Sequence, residues 1–576
     1  MASHVLGISA LFHDSAAVLL RDGVVVAAAQ EERFSRVKHD AALPVQAARW
    51  CLAQGGISPA DLDCLVFYEK PLRKFERILA TATATFPRSW QSFPRAMHAW
   101  LGDKLWTHRA LARLFSVRPD RILFSEHHLS HAASAFLCSP HATAAVLVAD
   151  GVGEWATTSL WRGRADPPFL EPVAEVRFPH SLGLFYSAIT AYLGFAVNEG
   201  EYKVMGMAGW GKPRFREQMA QLLRLEADGA FSVDLDYFCW HWHATESFTA
   251  RLPAMLGPPR VPGSPFDPAS DPESQRFADV AASAQAALED AMLHLAGHAH
   301  RALGERALCL AGGVALNAVA NHRLAAEGPF EHLWIQPASG DAGAALGAAL
   351  WAWHAVLGNP RLPEIRAWCL GRRFAPAAVE AQLLELGARF ERLDDPVARA
   401  AADLASGKVI GWFEGRGEWG PRALGNRSIL ADPRGAQTRD RVNLRVKLRE
   451  QFRPFAPAVT EAAAAHWFDI PAPAEAPARA MLVAPPVRAE RREEIAATTH
   501  VDGTARVQVV NPADSPTFHR LVEAFGGCTG TPVLLNTSFN LKGDPIASTP
   551  IDAMAAFYRS GLDLLYMEGC RVERPR

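Results

Sequence analysis

Thr143-Ala-Ala-Val-Leu-Val-Ala149 runs straight into Asp150-Gly151-Val152-Gly153-Glu154. A short apolar run of this length, closed by a glycine turn, reads as a buried strand. An acid placed at the end of such a strand is a common way to build a phosphate or metal site. Trp155-Ala-Thr-Thr-Ser-Leu-Trp161 reads as the returning strand. The N-terminus repeats the pattern: Val5–Ser9 is a strand, and Ala16–Leu20 and Val24–Ala27 flank an Asp22-Gly23 hairpin turn. The recurrence points to an internal duplication of a β-hairpin nucleotide fold. Between the first two strands lies the polar loop Leu11-Phe12-His13-Asp14-Ser15, the kind of place where a rigid scaffold presents chemistry.

Just before the quoted strand stands Ser125-Glu126-His127-His128-Leu129-Ser130-His131, followed by small residues to Phe136. A helix is expected here, with Ser125 as its cap. His127 and His131 then share one face, one turn apart, and two imidazoles so placed can reach one ion. The spacing alone is weak evidence. His294 and His298 have the same spacing inside a long amphipathic run, Phe277 to Leu303, where a solvated helix face explains them. The third candidate ligand is Asp341 in Pro337-Ala-Ser-Gly-Asp341, an acid oddly placed before a small-residue helix unless it caps the helix or holds a cation.

Two glycine-bearing stretches suggest a nucleotide. Ala307-Leu-Cys-Leu-Ala-Gly-Gly-Val-Ala-Leu-Asn317 is a buried strand running into Gly312-Gly313, where a backbone can approach a phosphate and a helix N-terminus offers free N–H groups. Asn198 to Lys212 is glycine-rich and of mixed charge; Lys203 and the amides near Gly206 are candidates to meet a phosphate, or the glycines simply permit tight turns. Beyond a Gly358–Pro363 linker the character changes. Lys408–Phe413 is a strand entering Glu414-Gly-Arg416-Gly-Glu-Trp-Gly-Pro-Arg-Ala-Leu-Gly-Asn-Arg427, and Arg445, Lys447, Arg449, Arg453 and Arg506 follow. Arginines among glycines suit bidentate capture of phosphate or carboxylate oxygens. Thr531 to Asn540 is a strand ending in hydroxyl and amide side chains, Ser538 among them.

The composition bounds the rest. With 576 residues, 49% apolar and 21% charged, the chain is long enough for several real cores and is not disordered. Lys plus Arg number 59 and Asp plus Glu 61, so the net charge of −2 gives no general drive toward nucleic acid. The eight cysteines are scattered without a Cys-x-x-Cys, which suits reduced thiols in a cytoplasmic protein. The longest apolar run, Ala342 to Leu357, is short for a membrane span, and no membrane partner is expected.

Taken together, these motifs resemble the ATP-dependent O-carbamoyltransferases of the nodulation-factor and antibiotic-tailoring family. The pieces that carry the resemblance are His13-Asp-Ser-Ala, His127-x3-His131, Asp150-Gly151, Lys203-Val-Met-Gly206, Gly312-Gly-Val-Ala-Leu-Asn317, Ser339-Gly-Asp341, Gly415 to Gly425, Phe452-Arg-Pro-Phe-Ala-Pro457 and Asn536-Thr-Ser-Phe-Asn540. The resemblance implies an α/β architecture: an actin-like/sugar-kinase (duplicated RNase H-like) domain over 1–360 and an α+β YrdC-like domain over 375–576. It implies that carbamoyl phosphate and ATP, with Mg2+, form carbamoyladenylate in the C-terminal domain, and that the first domain then passes the carbamoyl group to a hydroxyl of a small molecule or glycan.

Residue by residue, the resemblance makes His127, His131 and Asp341 ligands of iron(II) or another divalent metal, and His13 the base for the acceptor hydroxyl. It places Asp150, Gly151, Lys203, Gly206, Gly312, Gly313 and Asn317 around the nucleotide, and Arg416, Lys447, Arg453, Arg506 and Ser538 around carbamoyl phosphate and ATP. A homodimer is left open. A threonylcarbamoyl-transfer enzyme acting on tRNA would share the fold and the metal, but near-neutral charge disfavours it. A non-catalytic ATP-dependent switch would not explain the arginine-rich second half. The lack of the glutamate of His-Glu-x-x-His argues against a zinc protease. The acceptor itself is not written in these motifs, and the segments 70–110 and 235–275 are the ones expected to choose it.

Overall fold

The structure is a computed structural model, and it describes residues 2–574. It forms two compact units, one of residues 1–31 and 41–364, the other of residues 32–40 and 365–576. Among the described residues no helix is long and apolar enough to cross a membrane.

The first unit is built twice from one plan. Strands β1 His4–Ser9, β2 Ala16–Arg21 and β3 Val24–Gln30 form an antiparallel meander, and β4 Cys64–Phe67 and β5 Ile122–Phe124 add to β1 in parallel, giving the order β3-β2-β1-β4-β5. The second sheet starts with the meander β6 Thr143–Ala149, β7 Ala156–Arg164 and β8 Leu170–Arg177. A small hairpin of β9 Leu223–Leu225 and β10 Phe231–Val233 follows, and then β11 Ala307–Ala311 and β12 His332–Ile335 extend the second sheet in parallel. Its order, β12-β11-β6-β7-β8, is the first sheet over again. This is the duplication that the repeated strand–turn–strand signal suggested, with the duplicated RNase H-like topology of the actin-like/sugar-kinase class that the resemblance implied. The hairpin turn is where it was read: Asp22 and Gly23 both have positive φ, 50° and 79°, as a two-residue turn matched to strand twist requires.

The duplication also decides which elements meet. Each repeat ends in a helix after its last strand, His127–Phe136 after β5 and Asp341–Trp351 after β12. These two helices pack on each other because one is faced with glycine. A Cβ on Gly347 would fall onto the carbonyl oxygen of Ser130 and lie 2.7 Å from the Ser134 nitrogen. On the sheet side, a Cβ on Gly7 would collide with the Ala345 carbonyl and come within 2.9 Å of the Ala349 Cβ. The small-residue run read as a buried helix is therefore what lets backbone touch backbone, and it brings Asp341 to the histidine helix. Gly347→Ala is expected to cost about 2–3 kcal/mol, the order seen when a packed core is overfilled. The check is chemical denaturation of the variant beside the parent.

The second unit is α+β, as expected. Its eight-stranded mixed sheet runs Arg389–Arg392, Cys570–Glu573, Leu564–Met567, Ile410–Phe413, Arg427–Ala431, Val533–Ser538, Ala456–Thr460 and Gln508–Val510. Both faces are covered by apolar clusters, one around Phe413, Phe539 and Phe557, the other around Trp412, Phe518 and Tyr566. Residues 32–40 are stapled in by arginine. Arg33 donates to the Gly420 carbonyl at 2.9 Å, and Arg36 donates to the carbonyls of Pro545 and Ile546 at 2.9 and 2.8 Å.

Candidate active site

In the first unit the polar chemistry sits at equivalent places of the two repeats. The loop between β1 and β2 carries His13 and Asp14; the loop between β6 and β7 carries Asp150 and Glu154. The two terminal helices supply His127, His131 and Asp341.

The histidine helix begins at His127, after Glu126 in extended conformation. Ser125 does not cap it: its hydroxyl turns to the Glu126 carbonyl at 3.3 Å. The cap comes from 27 residues away. The buried Glu154 carboxylate accepts the His127 N–H at 3.0 and 3.1 Å and the Lys70 N–H at 2.8 Å. Burial, with the Glu69 charge, raises the Glu154 carboxyl above its usual range, while the charge of His127 and the Lys70 N–H pull it down. A cap supplied by tertiary contact leaves no local signature, which is why the serine misled. Glu154→Ala should orphan both N–H groups and cost about 2 kcal/mol by the usual cap and desolvation penalties. Glu154→Gln, which keeps an acceptor, should lose clearly less in the same thermal melt.

At the first residue of the helix, His127 Nε2 stands 3.1 Å from Asp150 Oδ2 and 3.2 Å from His131 Nε2, one turn on. His131 Nε2 lies 3.3 Å from Asp341 Oδ1, and all four residues offer ligand atoms within 4.8 Å of one another. The histidines are at most 1% exposed and Asp341 3%. Asp341 Oδ2 and His131 Nδ1 are buried without a hydrogen-bond partner. Lone pairs converging in a dry site are costly unless a cation or protons occupy the space between them. Two imidazoles and two carboxylates are a donor set that fits a divalent first-row metal. The structure thus brings together the three ligand candidates and adds Asp150, whose other oxygen accepts the Gly313 N–H at 2.9 Å.

The electrostatics follow from this crowding. Burial alone would lower the His127 pKa, but the hydrogen bond to Asp150 and the nearby carboxylates of Glu69 and Asp341 raise it to about 10. Asp150 is the mirror case: burial opposes ionisation, and His127 and His131 hold it well below the carboxylate range. Glu69, just past β4, has Oε2 3.6 Å from the Nδ1 of His127 and 2.7 Å from Lys74. Against its burial, those cations hold it at about 2. Glu69 was not read from sequence; its position after the C-terminal end of a parallel strand was the available signal. His13 holds Asp14 Oδ2 at 3.0 Å, and its Nε2 lies 3.9 Å from Asp341 Oδ2. Burial lowers the His13 pKa, yet Asp341 and Asp14 lift it to about 9.

The remaining first-unit candidates divide. Gly312 and Gly313 lie at the end of β11 beside Asp150, and Gly151 is its neighbour in the β6–β7 turn. Asn317 caps the helix Ala318–Glu327, accepting the Ala320 N–H at 3.0 Å, and exchanges two hydrogen bonds with Gln285. Lys203 and Gly206 are not in a turn. They lie in the helix Glu201–Ala208, where interior amides are taken by the helix itself, so the amides near Gly206 are not phosphate donors. Lys203 Nζ rests 5.5 Å from the Phe195 ring centre.

In the second unit, cations are buried against one another. Arg506 is driven well below the usual arginine range by burial and by Arg422, Arg449 and Arg453. Lys447 is lowered by burial and by Arg449, Arg453 and Lys38. Its ammonium donates to the Ser538 and Asn540 carbonyls at 2.7 and 2.9 Å and to Asn540 Oδ1 at 2.7 Å. Arg506 Nε has no hydrogen-bond partner. Lys447, Arg453, Arg506 and Ser538 are therefore gathered as expected, with Arg422, Arg449 and Lys38 added. Arg416 is used differently: its guanidinium donates to the carbonyls of Leu370 and Gly371 at 2.6 and 3.1 Å.

The first unit thus gathers a buried histidine–carboxylate cluster, and the second a set of crowded buried cations. Comparison with known proteins gives the family. The models of the carbamoyltransferase N-terminus and the carbamoyltransferase C-terminus match residues 4–350 and 401–574. The chain belongs to the carbamoyltransferase family and is a carbamoyltransferase. Over 98% of its length it is 45% identical to an uncharacterized protein of Synechocystis sp., covering 96% of that protein. Over 98% it is 39% identical to nodulation protein NolNO of Sinorhizobium fredii, covering 79% of that chain. Over 41% it is 36% identical to the 3'-hydroxymethylcephem-O-carbamoyltransferase of Streptomyces clavuligerus, covering 43% of it.

Proposed function

We propose that the protein is an ATP-dependent O-carbamoyltransferase that makes carbamoyladenylate in its C-terminal domain and uses it in its N-terminal domain. The observation that carries this reading is the cation cluster around Arg506. Buried like charges are tolerated when an anion compensates them, and guanidinium forks pair with phosphate oxygens. Glu450 meets Arg453 at 3.5 Å, and carbamoyl phosphate and ATP together would bring further negative charge to the cluster. On this reading Arg453 and Arg506 hold the phosphates while Lys447 braces Ser538 and Asn540 beside them. Water cleaves carbamoyl phosphate to carbamate and phosphate, and the carbamate oxygen attacks the α-phosphorus of ATP, forming carbamoyladenylate and displacing pyrophosphate. The experiment is direct: ATP and labelled carbamoyl phosphate should give pyrophosphate without an acceptor, and labelled carbamate ester with one. Pyrophosphate release that ignores carbamoyl phosphate would refute the reading.

In the first unit, His127, His131, Asp150 and Asp341 would hold a divalent metal, and their mixed nitrogen and oxygen donors suit iron(II). Such an ion supplies positive charge against developing negative charge in the transfer. His13 takes the proton of the acceptor hydroxyl. At a pKa of about 9 the imidazole is protonated near neutrality and cannot do this. What lifts it is uncompensated carboxylate charge, chiefly that of Asp341, so neutralising those carboxylates returns His13 to a working base. His13→Ala is expected to slow transfer from preformed carbamoyladenylate by about 10²–10⁴-fold, the usual range for a general base. A single-turnover rate within a few-fold of the parent would leave His13 a loop residue. The acceptor is a hydroxyl of a small molecule or glycan.

A further inference from the structure

The two repeats of the first unit differ at one connection. Between β11 and β12 the chain uses residues 312–331; between β4 and β5, the equivalent place in the first repeat, it uses residues 68–121. The repeated sheet order shows that the fold needs only the shorter form. The extra chain makes three helices, Pro71–Ala84, Ser92–Gly102 and Thr107–Phe115. They are tied into one piece. The Phe75 and Trp100 ring centres lie 5.8 Å apart, Ser89 Oγ donates to the Ala82 carbonyl at 2.6 Å, and the Trp106 indole N–H donates to the Leu101 carbonyl at 2.9 Å.

The surface of this insert departs from the rest of the chain in two independent ways. Leu72, Phe86, Trp90, Leu101 and Trp106 are each more than half exposed. With Phe93, the insert holds four of the six Phe, Trp and Tyr side chains that are exposed among the described residues. The charge is equally uneven. Residues 71–115 carry eight Lys or Arg against two Asp or Glu, a charge of +6 in a chain whose total is −2. Arg88, Arg95, Arg109 and Arg113 are exposed, and among the described residues none of them has a carboxylate partner. Arg109 and Arg113 lie one turn apart on Thr107–Phe115, whose Leu111 and Phe115 are buried.

We propose that this insert rests on an anionic lipid surface, with its leucines and indoles at the acyl boundary and its arginines among the headgroups. Exposed apolar and aromatic side chains beside unpaired cations are the make-up of a segment that lies in a membrane interface. Lying there needs no crossing helix, and among the described residues none is long and apolar enough to be one. Arginine suits the position, because its stem can lie along the apolar layer while its head stays in water. A second copy of the chain fits the patch poorly. A two-fold contact sets the same surface on both sides, so +6 would face +6. Nucleic acid would use the arginines and could stack on the rings, but Leu72 and Leu101 would have no role against phosphates or bases. A lipid boundary employs all three kinds of side chain.

The test is flotation of the full-length protein with vesicles, one set of phosphatidylcholine alone and one of equal phosphatidylcholine and phosphatidylglycerol, at low salt. The protein should float with the anionic vesicles and not with the neutral ones. Added sodium chloride should release it, since exposed charges are screened beyond a Debye length. Arg109→Glu/Arg113→Glu should weaken partitioning by at least about tenfold, because each basic side chain near an anionic surface adds several-fold and a reversal counts twice. Trp90→Ser/Leu101→Ser should weaken it by about the same factor and leave the melting temperature near that of the parent, as both side chains face solvent. No flotation with anionic vesicles, equal flotation with neutral ones, or parent-like binding by either variant would overturn the proposal. Binding to tRNA but not to vesicles, lost with the two arginines, would assign the patch to nucleic acid instead. Lipid-free dimers that depend on Trp90, in a protein that does not float, would assign it to self-association.

Discussion

His127→Ala and His131→Ala proteins should each come out of purification without the divalent metal of the parent and should transfer no measurable carbamoyl group. Both imidazoles face one point together with Asp150 and Asp341. Removing either leaves a donor set with one nitrogen and two carboxylates that repel each other. Metal affinity should fall by well over the roughly 10–100-fold that even an outer supporting residue costs. Carbamoyl-phosphate-dependent pyrophosphate release should continue, since the cations assigned to it belong to the other unit. The control is built into the chain. His294 and His298 have the same spacing, but His294 is occupied by the Glu226 carbonyl at 2.9 Å, and replacing both should leave metal content alone. Full metal in either His127→Ala or His131→Ala would end the metal reading.

Arg506→Met should abolish pyrophosphate release and, at the same time, make the ligand-free protein more stable. The two effects share one cause. Arg506 is buried among Arg422, Arg449 and Arg453, and its pKa is depressed, so the folded state tolerates its charge poorly. An apolar residue of similar length removes the repulsion, and replacing buried charge in this way commonly gains about 1–4 kcal/mol. The same substitution takes two charge-assisted hydrogen bonds from a phosphate, each worth about 1.5–3 kcal/mol. Thermal melts supply both checks. Without ligand the variant should melt above the parent; with inorganic phosphate or carbamoyl phosphate the parent should rise and the variant should not. A variant less stable than the parent and still raised by phosphate would show that Arg506 is a packing residue. Transfer from supplied carbamoyladenylate should survive in the variant, separating the two half-reactions.

These expectations depend on features of different legibility. Elements whose signal is local could be read directly. The Asp22-Gly23 turn, the strand into Asp150, the strand into Gly312 and the helix after Asp341 all announce themselves through residue type within a few positions, because turn chemistry and burial of a short apolar run are local matters. The repetition of one such signal in the first unit pointed to its duplication, and the fold class came from the family resemblance of the motifs taken together. The His127/His131 pair was legible for the same reason, since helical spacing alone puts both on one face.

Local order also misled where a distant group did the work. Ser125 looked like the cap of the histidine helix, but a carboxylate from the β6–β7 turn takes that place. The glycines around Lys203 looked like a turn, and flanking residues made them a helix. Arg416, one arginine among several, was drawn off by the carbonyls of Leu370 and Gly371. In each case the sequence offered two outcomes close in local free energy, and a tertiary contact of about 1–2 kcal/mol was enough to choose.

By itself, the order of residues determined the two-repeat topology, the helix that pairs two histidines, and the crowding of arginine in the last third of the chain. Tertiary structure alone decided that Asp150 joins His127, His131 and Asp341, that Glu69 stands behind His127, and that Lys38 and Arg422 face the Arg506 cluster. The physical reason is that a ligand set or an anion pocket is a convergence of side chains from segments up to hundreds of residues apart. Nothing in the spacing along the chain encodes that convergence; the close packing of Gly347 on Ser130, and the repeated sheet order beneath it, bring the parts to one place.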